Sequence, residues 1–288
     1  MHAKTLRQLV NDKEILIAPG GYDGLSASLI QQGGFNAMYL SGASIAYTRF
    51  GRPDIGLVSM NEVAETLAVI RERVDFPIIV DGDTGFGNAI NTQRTVKLFE
   101  RMGASAIQLE DQQMPKRCGH LKGKALVSKE EMVGKVKAAV DARSNPDTMI
   151  IARTDAIAVE GFDAAVDRAM AYYQAGADLL FIEAPESLEQ MQTINEIFEG
   201  KVPLLANMVE GGSTPIKDAD DLQQMGYSLV IFPGAMVRAY TFMAQEFLGS
   251  LKANQNTKQY QDRMLDLGGL NQLLGTDEIL ANGQKYEG

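Results

Sequence analysis

The sequence has little cysteine and no long apolar run. A single cysteine, Cys118, excludes an intrachain disulfide and favours a reducing compartment. No run approaches the roughly 18 apolar residues that a membrane-spanning helix requires. The first residues, Met-His-Ala-Lys-Thr-Leu-Arg-Gln, also lack the apolar core of a signal peptide. We therefore expect a soluble, cytoplasmic protein without a membrane partner.

Positive charge is scarce as well. The 288 residues include 27 Lys and Arg against 37 Asp and Glu, which gives a formal net charge of −10. A nucleic-acid partner that relies on a broad basic face is therefore not expected. Hydrophobic residues make up 45% of the chain, an ordinary globular proportion that excludes disorder as the main state.

Short apolar runs alternate with longer amphipathic segments along most of the chain. Most of the runs lack period-2 alternation, as expected for parallel strands that are covered on both faces. The pattern predicts eight strands, at residues 15–18, 37–40, 77–81, 106–110, 149–153, 179–183, 203–207 and 229–232.

Capping residues and glycines delimit the helices predicted between these strands. Ser59 with Glu62, and Ser128 with Glu131, have the spacing of a capping box. Met-Gly-Ala at 102–104, Ala-Gly-Ala at 175–177 and Met-Gly-Tyr at 225–227 each precede a strand, which indicates a recurring helix–glycine–strand joint. The predicted helices are 24–32, 59–73, 91–101, 128–143, 162–174, 187–198, 218–224 and 233–248.

Eight such units favour a (β/α)8 TIM barrel over residues 1–252. The alternative is an open doubly wound sheet, which usually carries Gly-x-Gly-x-x-Gly after its first strand. Here the corresponding turn is Ala-Pro-Gly-Gly-Tyr-Asp-Gly, which does not fit. Residues 253–288 fall outside the eight units. They form either a frayed tail or a helical arm whose leucines pack on a partner subunit.

Acidic residues follow several of the predicted strands, where a barrel places its active site. Asp81 and Asp83 are two apart and point the same way in a strand. Neighbouring carboxylates repel unless a cation or a shared proton intervenes. With Glu110 at the next strand end, and Glu183 as a further candidate, they predict a Mg²⁺ or Mn²⁺ site. The alternative is that these aspartates only cap turns.

Basic residues stand out at two places among these acids. Arg153 at a strand end is interpreted as a clamp for a substrate carboxylate or phosphonate, with a structural ion pair as the alternative. Residues 115–124, Pro-Lys-Arg-Cys-Gly-His-Leu-Lys-Gly-Lys, form a predicted basic loop. Its cations favour the thiolate of Cys118, and its glycines suit a mobile lid that excludes water. Cys118 and His120 are too few for a zinc site, and an incidental surface cysteine is the simpler alternative.

Seven motifs together resemble the isocitrate lyase/phosphoenolpyruvate mutase superfamily, and most closely its small lyase branch. The resemblance covers residues 4–275, and Lys-Arg-Cys-Gly-His is typical of the lyases. The motifs are Tyr39-Leu40-Ser41-Gly42-Ala43, Arg52-Pro53-Asp54, Asp81-Gly82-Asp83-Thr84-Gly85-Phe86-Gly87, Leu109-Glu110-Asp111-Gln112, Lys116-Arg117-Cys118-Gly119-His120, Ala152-Arg153-Thr154-Asp155 and Ala206-Asn207-Met208-Val209-Glu210-Gly211-Gly212.

The resemblance implies a role for each of these segments. It implies Mg²⁺, or Mn²⁺, bound directly by Asp83 and through water by Asp54, Asp81 and Glu110. The backbone of residues 41–43 (Ser41, Gly42 and Ala43) and Arg153 then hold the carboxylate of a pyruvate-like unit beside Tyr39. Cys118 is the general acid, with Lys116, Gly119 and His120 on the same loop. The remaining pocket residues implied are Glu183, Asn207 and Glu210.

The resemblance also implies an activity and an assembly. The expected reaction is magnesium-dependent cleavage of a 2-hydroxydicarboxylate to pyruvate and a carboxylate, within a homotetramer of helix-swapped dimers. Glu210-Gly211-Gly212 adds a carboxylate to the pocket and so favours a substituted malate over the tricarboxylate methylisocitrate. The alternatives are a carboxyphosphonoenolpyruvate-type mutase, an oxaloacetate hydrolase or decarboxylase, and a non-catalytic binding barrel. Cys118 favours the lyase.

Overall fold

The computed structural model describes residues 1–119, 121–215 and 217–287. They form two compact units, residues 1–235 and a C-terminal unit that begins at Met236. The first unit contains an eight-stranded sheet. Its strands are β1 Leu16–Gly21, β2 Met38–Leu40, β3 Ile78–Asp81, β4 Ala106–Glu110, β5 Met149–Thr154, β6 Leu179–Ile182, β7 Leu205–Asn207 and β8 Leu229–Phe232.

The eight strands close into a parallel barrel. Their order is β6-β5-β4-β3-β2-β1-β8-β7, and every named pair is parallel. A parallel bridge between Leu180 and Leu204 joins β6 to the start of β7 and completes the circle. The (β/α)8 prediction is therefore confirmed, and the alternative of an open sheet is wrong.

The described residues of the first unit form ten helices, which surround the barrel or cover its ends. Seven of them match predicted helices to within two residues at each end. Three were not predicted: α1, α3 and α7. The helices are α1 His2–Val10, α2 Gly24–Gln32, α3 Gly42–Phe50, α4 Met60–Arg73, α5 Ala89–Arg101, α6 Lys129–Ala142, α7 Ile157–Glu160, α8 Phe162–Gln174, α9 Leu188–Phe198 and α10 Ala219–Met225.

The three predicted helix–glycine–strand joints have the same hydrogen bonding. The residue after each glycine donates its backbone N–H to a carbonyl of the preceding helix, as in a Schellman motif. The bonds run from Ala104 to Phe99, Ala177 to Tyr172 and Tyr227 to Leu222, at 3.0 to 3.1 Å. Each glycine has a φ near +100°, where a side chain is strained. The repeat in the sequence therefore reports a repeated local structure.

Helix α1 closes the end of the barrel at which the strands begin. Its buried residues Ala3, Leu6 and Val10 have the i, i+3, i+7 spacing of one helical face. Leu6 and Val10 belong to the same buried cluster as Leu16 and Leu229, the first residues of β1 and β8. The opposite end, where the strands finish, is left for polar side chains.

The C-terminal unit is helical. It contains most of α11 Ala235–Asn254, a 3₁₀ helix Lys258–Arg263, α12 Leu267–Leu274 and α13 Thr276–Gln284. Tyr260 packs edge-on against Phe247, with ring centroids 5.4 Å apart. Neither α12 nor α13 has a buried residue. None of the helices among the described residues has both the length and the hydrophobicity to span a membrane.

Candidate active site

The strand ends bring most of the predicted site residues together. Asp81 and Glu110 are the last residues of β3 and β4, Asn207 is the last of β7, and Arg153 is the next to last of β5. Because parallel strands of a barrel end at one face, these side chains share that face. Residue 120 lies outside the described residues, so the predicted role of His120 has no structural counterpart here.

Two carboxylates contact the ammonium group of Lys116, and two more act on it through their charge. Lys116 Nζ lies 2.6 Å from Asp54 Oδ1 and 2.7 Å from Asp83 Oδ1. The side chain of Lys116 is 4% exposed. Burial lowers the pKa of Lys116, but the fields of Asp83, Glu110, Asp54 and Asp81 together raise it well above its usual value. The predicted metal ligands therefore form one electrostatic cluster, and a lysine from the basic loop lies within it.

Negative charge in this cluster is incompletely compensated. Burial raises the pKa of Asp83 to about 7, although Lys116 opposes the shift. Burial also raises the pKa of Glu110 well above its usual value, against the field of Arg153. Both shifts have the same physical cause, because a buried carboxylate loses its hydration. A further cation is therefore favoured at this site.

The donor set fits a hard divalent cation. Asp83 Oδ1 and Glu110 Oε1 are buried without a hydrogen bond, although Asp83 Oδ1 is close enough to Lys116 for an ion pair. Carboxylate oxygens are the ligands that Mg²⁺ and Mn²⁺ prefer. Within the described chain, no three His, Cys, Asp or Glu side chains converge in a ready metal geometry. The ammonium of Lys116 lies between Asp54 and Asp83 instead.

The backbone at Asp83 is held in an unfavourable conformation. Asp83 has φ 45° and Phe86 has φ 57°, in the left-handed region that side chains disfavour. The Asp83 carbonyl accepts a 2.8 Å hydrogen bond from the Glu110 N–H, which ties the ends of β3 and β4 together. Lys135, buried on α6, donates to the Thr84 carbonyl at 3.3 Å. Strain of this kind is typical of functional sites.

Asp81 is oriented by the barrel interior and by a helix N-terminus. Its Oδ1 accepts from the Asp83 N–H at 3.1 Å and from Gln108 Nε2 at 3.3 Å. Its Oδ2 accepts from the Gly42 N–H at 3.4 Å, at the start of α3. Ser41 caps that helix by accepting from the Ser44 N–H at 3.2 Å. The predicted carboxylate-binding segment 41–43, which ends at Ala43, thus begins α3 beside Asp81.

Tyr39 reaches Asp81 through a residue that the sequence analysis missed. The Tyr39 hydroxyl donates to Gln108 Oε1 at 2.7 Å, and Gln108 donates onward to Asp81. Burial, with the nearby Asp81 charge, raises the pKa of Tyr39 well above its usual value. Gln108 interrupts the apolar strand Ala106–Glu110, and that interruption was the available signal.

Arg153 is held by a carboxylate that follows it on the chain. Its Nε and Nη2 donate to Asp155 Oδ2 and Oδ1 at 2.9 and 3.0 Å, a bidentate pair. Its Nη1 lies 3.3 Å from Glu110 Oε2, and its guanidinium stacks 5.0 Å from the Phe181 ring centroid. Asp155 was given no role from the sequence. Its position two residues after Arg153 could have indicated the pair.

A buried polar network supports the end of β5. Asp111 accepts from the Thr154 hydroxyl at 2.7 Å, from the Asp155 N–H at 3.0 Å and from the Tyr172 hydroxyl at 2.8 Å. Arg168 Nη1 approaches the same carboxylate at 3.4 Å. The network fixes the backbone that carries the Arg153–Asp155 pair.

The described residues of the cysteine loop, 115–119 and 121–124, are tied at the loop base and lie over the site. Next to its ends, the Gln113 N–H donates to the Ala125 carbonyl at 2.7 Å. Gln112 holds the backbone of Arg117 by two hydrogen bonds, at 2.8 and 2.9 Å. The Cys118 N–H donates to the Asp54 carbonyl at 3.1 Å. Cys118 is thus placed beside the carboxylate cluster.

Gly119 and the last lysine of the loop lie against the arginine. A Cβ at Gly119 would stand 2.7 Å from Glu183 Cγ and closer still to Arg153 Nη2, so no side chain fits there. Lys124 Nζ donates to the Gly119 carbonyl and lies 3.0 Å from Asp155 Oδ1. Lys124 stood in the predicted basic loop without an assigned function.

The predicted pocket residues from the last strands divide into two groups. Asn207 Nδ2 donates to both oxygens of Glu183, at 3.1 and 3.3 Å, and Glu183 is buried. Glu210 lies in the loop after β7 and is exposed to solvent. The structure therefore brings Glu183 and Asn207 to the buried site and leaves Glu210 at the surface.

The fold and site define a TIM-barrel protein. At the ends of its strands, a cluster of buried carboxylates suited to a divalent cation lies under a basic loop. The phosphoenolpyruvate phosphomutase family model matches residues 6–251. The 2,3-dimethylmalate lyase of Eubacterium barkeri is 45% identical over 96% of this chain and 95% of its own. The 2-methylisocitrate lyase of Aeropyrum pernix is 47% identical over 90% of this chain and 82% of its own.

A solved structure agrees with these relatives. A crystal structure of a 2,3-dimethylmalate lyase superposes with a TM-score of 0.94 at 35% identity, covering 100% of this chain and 96% of that one. The chain therefore belongs to the phosphoenolpyruvate mutase/isocitrate lyase superfamily, as its motifs predicted.

Proposed function

We propose that the chain is a magnesium-dependent carbon–carbon lyase that cleaves a 2-hydroxydicarboxylate to pyruvate and a carboxylate. One observation carries the proposal: a single loop contacts both halves of the site. Lys116 forms ion pairs with Asp54 and Asp83, and the backbone of Gly119 packs against Arg153 and Glu183. Cys118 lies between Lys116 and Gly119 on the loop. The likeness to two lyases over most of the chain supports the same reaction class.

Asp83, with Asp54, Asp81 and Glu110 around it, would hold the metal ion. Bound Mg²⁺ would supply Lewis acidity at the substrate carboxylate and hydroxyl. Mn²⁺ is the alternative, since it takes the same oxygen donors. The strained backbone at Asp83 and the Gln108 hydrogen bond to Asp81 keep two of these carboxylates in place without rearrangement.

Arg153 binds a substrate carboxylate, and Cys118 supplies a proton. Asp155 occupies the Nε–Nη2 edge of the guanidinium, and Nη1 points to the acidic cluster, 3.3 Å from Glu110 Oε2. We propose that Nη1 is the donor that reaches the substrate carboxylate. The C2 hydroxyl loses its proton to a carboxylate of the acidic cluster, the C2–O bond becomes a carbonyl, and the electron pair of the C2–C3 bond moves to C3. The Cys118 thiol donates a proton to C3 as general acid. The loop over the site keeps water from competing for that carbanion.

A substituted malate of the 2,3-dimethylmalate type is the substrate we propose. Glu210 adds a negative charge on the β7 side of the site, which disfavours a third substrate carboxylate. Because Glu210 is exposed, solvent screens part of this effect. The buried Glu183–Asn207 pair adds a further charge on that side.

The test is keto-acid release from 2,3-dimethylmalate, methylisocitrate, malate and oxaloacetate, with MgCl₂ or with EDTA. Wild type is compared with Cys118→Ser. We expect pyruvate from 2,3-dimethylmalate, lost with EDTA and in the variant. A clear preference for methylisocitrate would overturn the substrate, and activity on oxaloacetate alone would overturn the lyase. No release from any of them would point to phosphonate substrates.

The assembly and location belong to the same proposal. We propose a cytoplasmic homotetramer of two helix-swapped dimers, in which residues 253–288 form an arm on a partner subunit. The exposed leucines of α12 and α13 support this arrangement, since neither helix buries a residue within the chain.

A further inference from the structure

We propose that Lys124 is a positioning residue that fastens the cysteine loop to Arg153, so that loop and arginine enclose the substrate as one unit. The inference rests on the proposed function, because it assigns Lys124 to the presentation of Cys118. It concerns a lysine that the sequence motifs leave without a role.

The contacts of Lys124 join the loop to the arginine in two steps. Its ammonium donates to the carbonyl of Gly119, the residue next to Cys118, and lies 3.0 Å from Asp155 Oδ1. Asp155 in turn accepts both donors on one side of Arg153, at 2.9 and 3.0 Å. One cation therefore links the backbone beside the proposed acid to the carboxylate that orients Arg153.

Burial makes this link conditional on the position of the loop. The side chain of Lys124 is 2% exposed and that of Asp155 is 0% exposed. A buried ammonium is unfavourable unless charged and polar partners replace its hydration. One of those partners, the Gly119 carbonyl, is part of the loop itself. Lys124 stands at the loop base, next to the Gln113–Ala125 hydrogen bond, whereas Gly119 lies five residues earlier in the loop. If Gly119 moves away while the base stays in place, Lys124 loses a partner and regains water, so the contact favours the closed arrangement.

Gly119 shows how closely the loop approaches the site when Lys124 holds it. A Cβ added at Gly119 would fall inside the contact distance of both Arg153 and Glu183. The loop backbone therefore seals the space above Arg153. A shift of the Gly119 carbonyl would open this seal and move Cys118 with it.

Cys118 is the single cysteine of the chain, so its alkylation measures whether the loop is closed. Iodoacetamide is added at fixed pH, and the rate is followed by intact mass, with and without MgCl₂ and oxalate. The variants are Lys124→Met, Lys124→Arg and the control Lys122→Met. Lys122 is an exposed lysine of the same loop, so the control removes the same charge.

Lys124→Met should raise the alkylation rate about tenfold, the scale of one hydrogen bond to a charged group. Lys122→Met should stay within about twofold of wild type, and Lys124→Arg should lie nearer to wild type than Lys124→Met. Loss of a nearby cation by itself disfavours the thiolate and slows alkylation. Acceleration therefore reports an opened loop. Equal rates for Lys124→Met and Lys122→Met would overturn the inference.

A second variant covers the case in which Lys124→Met fails to fold. Lys124→Gln keeps a donor for the Gly119 carbonyl but loses the ion pair with Asp155. It should accelerate alkylation in the same direction by a smaller factor, relative to Lys122→Gln. No difference between these two variants would also overturn the inference.

The readout separates this inference from the proposed reaction. Alkylation needs no turnover, so the contrast between Lys124→Met and Lys122→Met decides the role of Lys124 even if wild type cleaves no substrate. Pyruvate release by wild type with no such contrast would leave the lyase standing and reject Lys124. If the lyase reaction and the role of Lys124 are both correct, Lys124→Met should lower kcat for 2,3-dimethylmalate. The same variant should leave Mg²⁺ affinity, measured calorimetrically, unchanged.

Discussion

The carboxylates of the site differ in what neutralises each of them. Asp54 and Asp83 share Lys116, Asp81 has three N–H donors, and Asp155 has Arg153 and Lys124. Asp83 and Glu110 each retain an oxygen without a hydrogen bond. The residues with the least compensation are therefore the ones that gain most from a bound cation.

Asp83 should make the metal-free protein less stable as pH rises. Burial raises its pKa from 3.8 to about 7 in the folded chain. The folded state then holds a proton that the unfolded state has released, so stability falls between about pH 4 and pH 7. Asp83→Asn should reduce this fall by on the order of 4 kcal/mol. Urea unfolding in EDTA across that range measures the slope.

The exposed aspartate Asp12 provides the matched control for this experiment. Asp12→Asn should leave the pH dependence of the unfolding free energy as in wild type. The same slope for Asp83→Asn and wild type would show that Asp83 titrates near its ordinary value.

Arg153→Lys should impair the enzyme although it conserves charge. An ammonium cannot form the bidentate pair with Asp155 and present a second edge to a carboxylate. We expect kcat/KM for 2,3-dimethylmalate to fall by roughly a hundredfold, about 2.7 kcal/mol of transition-state binding. Steady-state kinetics measure the change, with circular dichroism to confirm folding. Near wild-type kinetics would show that Arg153 acts only as a charge.

The elements show how far local pattern determines this fold. The strands Ala106–Glu110 and Leu229–Phe232 form with the predicted bounds, because apolar runs between polar turns leave few alternatives. Helix α3 was missed since Gly42-Ala43-Ser44 is typical of a loop, and it is helical because Ser41 caps it beside Asp81. Helix α1 was missed because its apolar face is defined only by the barrel end that it covers.

The sequence predicts which residues belong to the candidate site, but it does not predict which of them contact one another. Acids at successive strand ends follow from the barrel and the sequence, as does the basic loop. That Lys116 lies among the carboxylates, and Lys124 on Asp155, depends on the path of the loop in space. Gln108 depends on the inward direction of one side chain of β4. Spacing along the chain specifies neither the path of the loop nor the direction of the Gln108 side chain.

Ser59→Ala should destabilise the protein through the first turn of α4. Ser59 accepts from the Glu62 N–H at 3.4 Å, and Glu62 accepts from the Ser59 N–H at 2.7 Å, the predicted capping box. Its loss should lower the free energy of unfolding by about 1 kcal/mol, measured in urea. The exposed loop serine Ser213 is avoided as a control because it has contacts of its own. Ser144→Ala, at an exposed position of the loop after α6, should change the free energy by less than about 0.5 kcal/mol, and equal effects would mean that the box contributes nothing.

At the scale of the molecule, apolar surface is concentrated in the C-terminal unit. Leu267 is 79% exposed and Leu280 is 60% exposed. Apolar side chains repeated along two exposed helices indicate a protein partner. In the proposed tetramer that partner is another copy of the chain.

Replacing two of these leucines should therefore change the assembly. Leu267→Glu with Leu280→Glu places charges in the proposed interface, and we expect species smaller than four chains of 31.3 kDa. Light scattering after gel filtration measures the mass. Gln284→Glu, an exposed polar position of α13, should leave the mass of wild type. An unchanged mass for the double variant would remove the arm from the interface.

The hydrogen bond between Gln113 and Ala125 has a consequence for divergence in this lineage. It brings the two ends of the cysteine loop together, so the intervening segment can lengthen or shorten at a small entropic cost. Neither β4 nor α6 has to move when that happens. A barrel built this way can exchange one short loop, and with it the general acid of the reaction. The carboxylates at the strand ends are retained. New activities can thus arise by replacement of a part rather than by redesign of the whole.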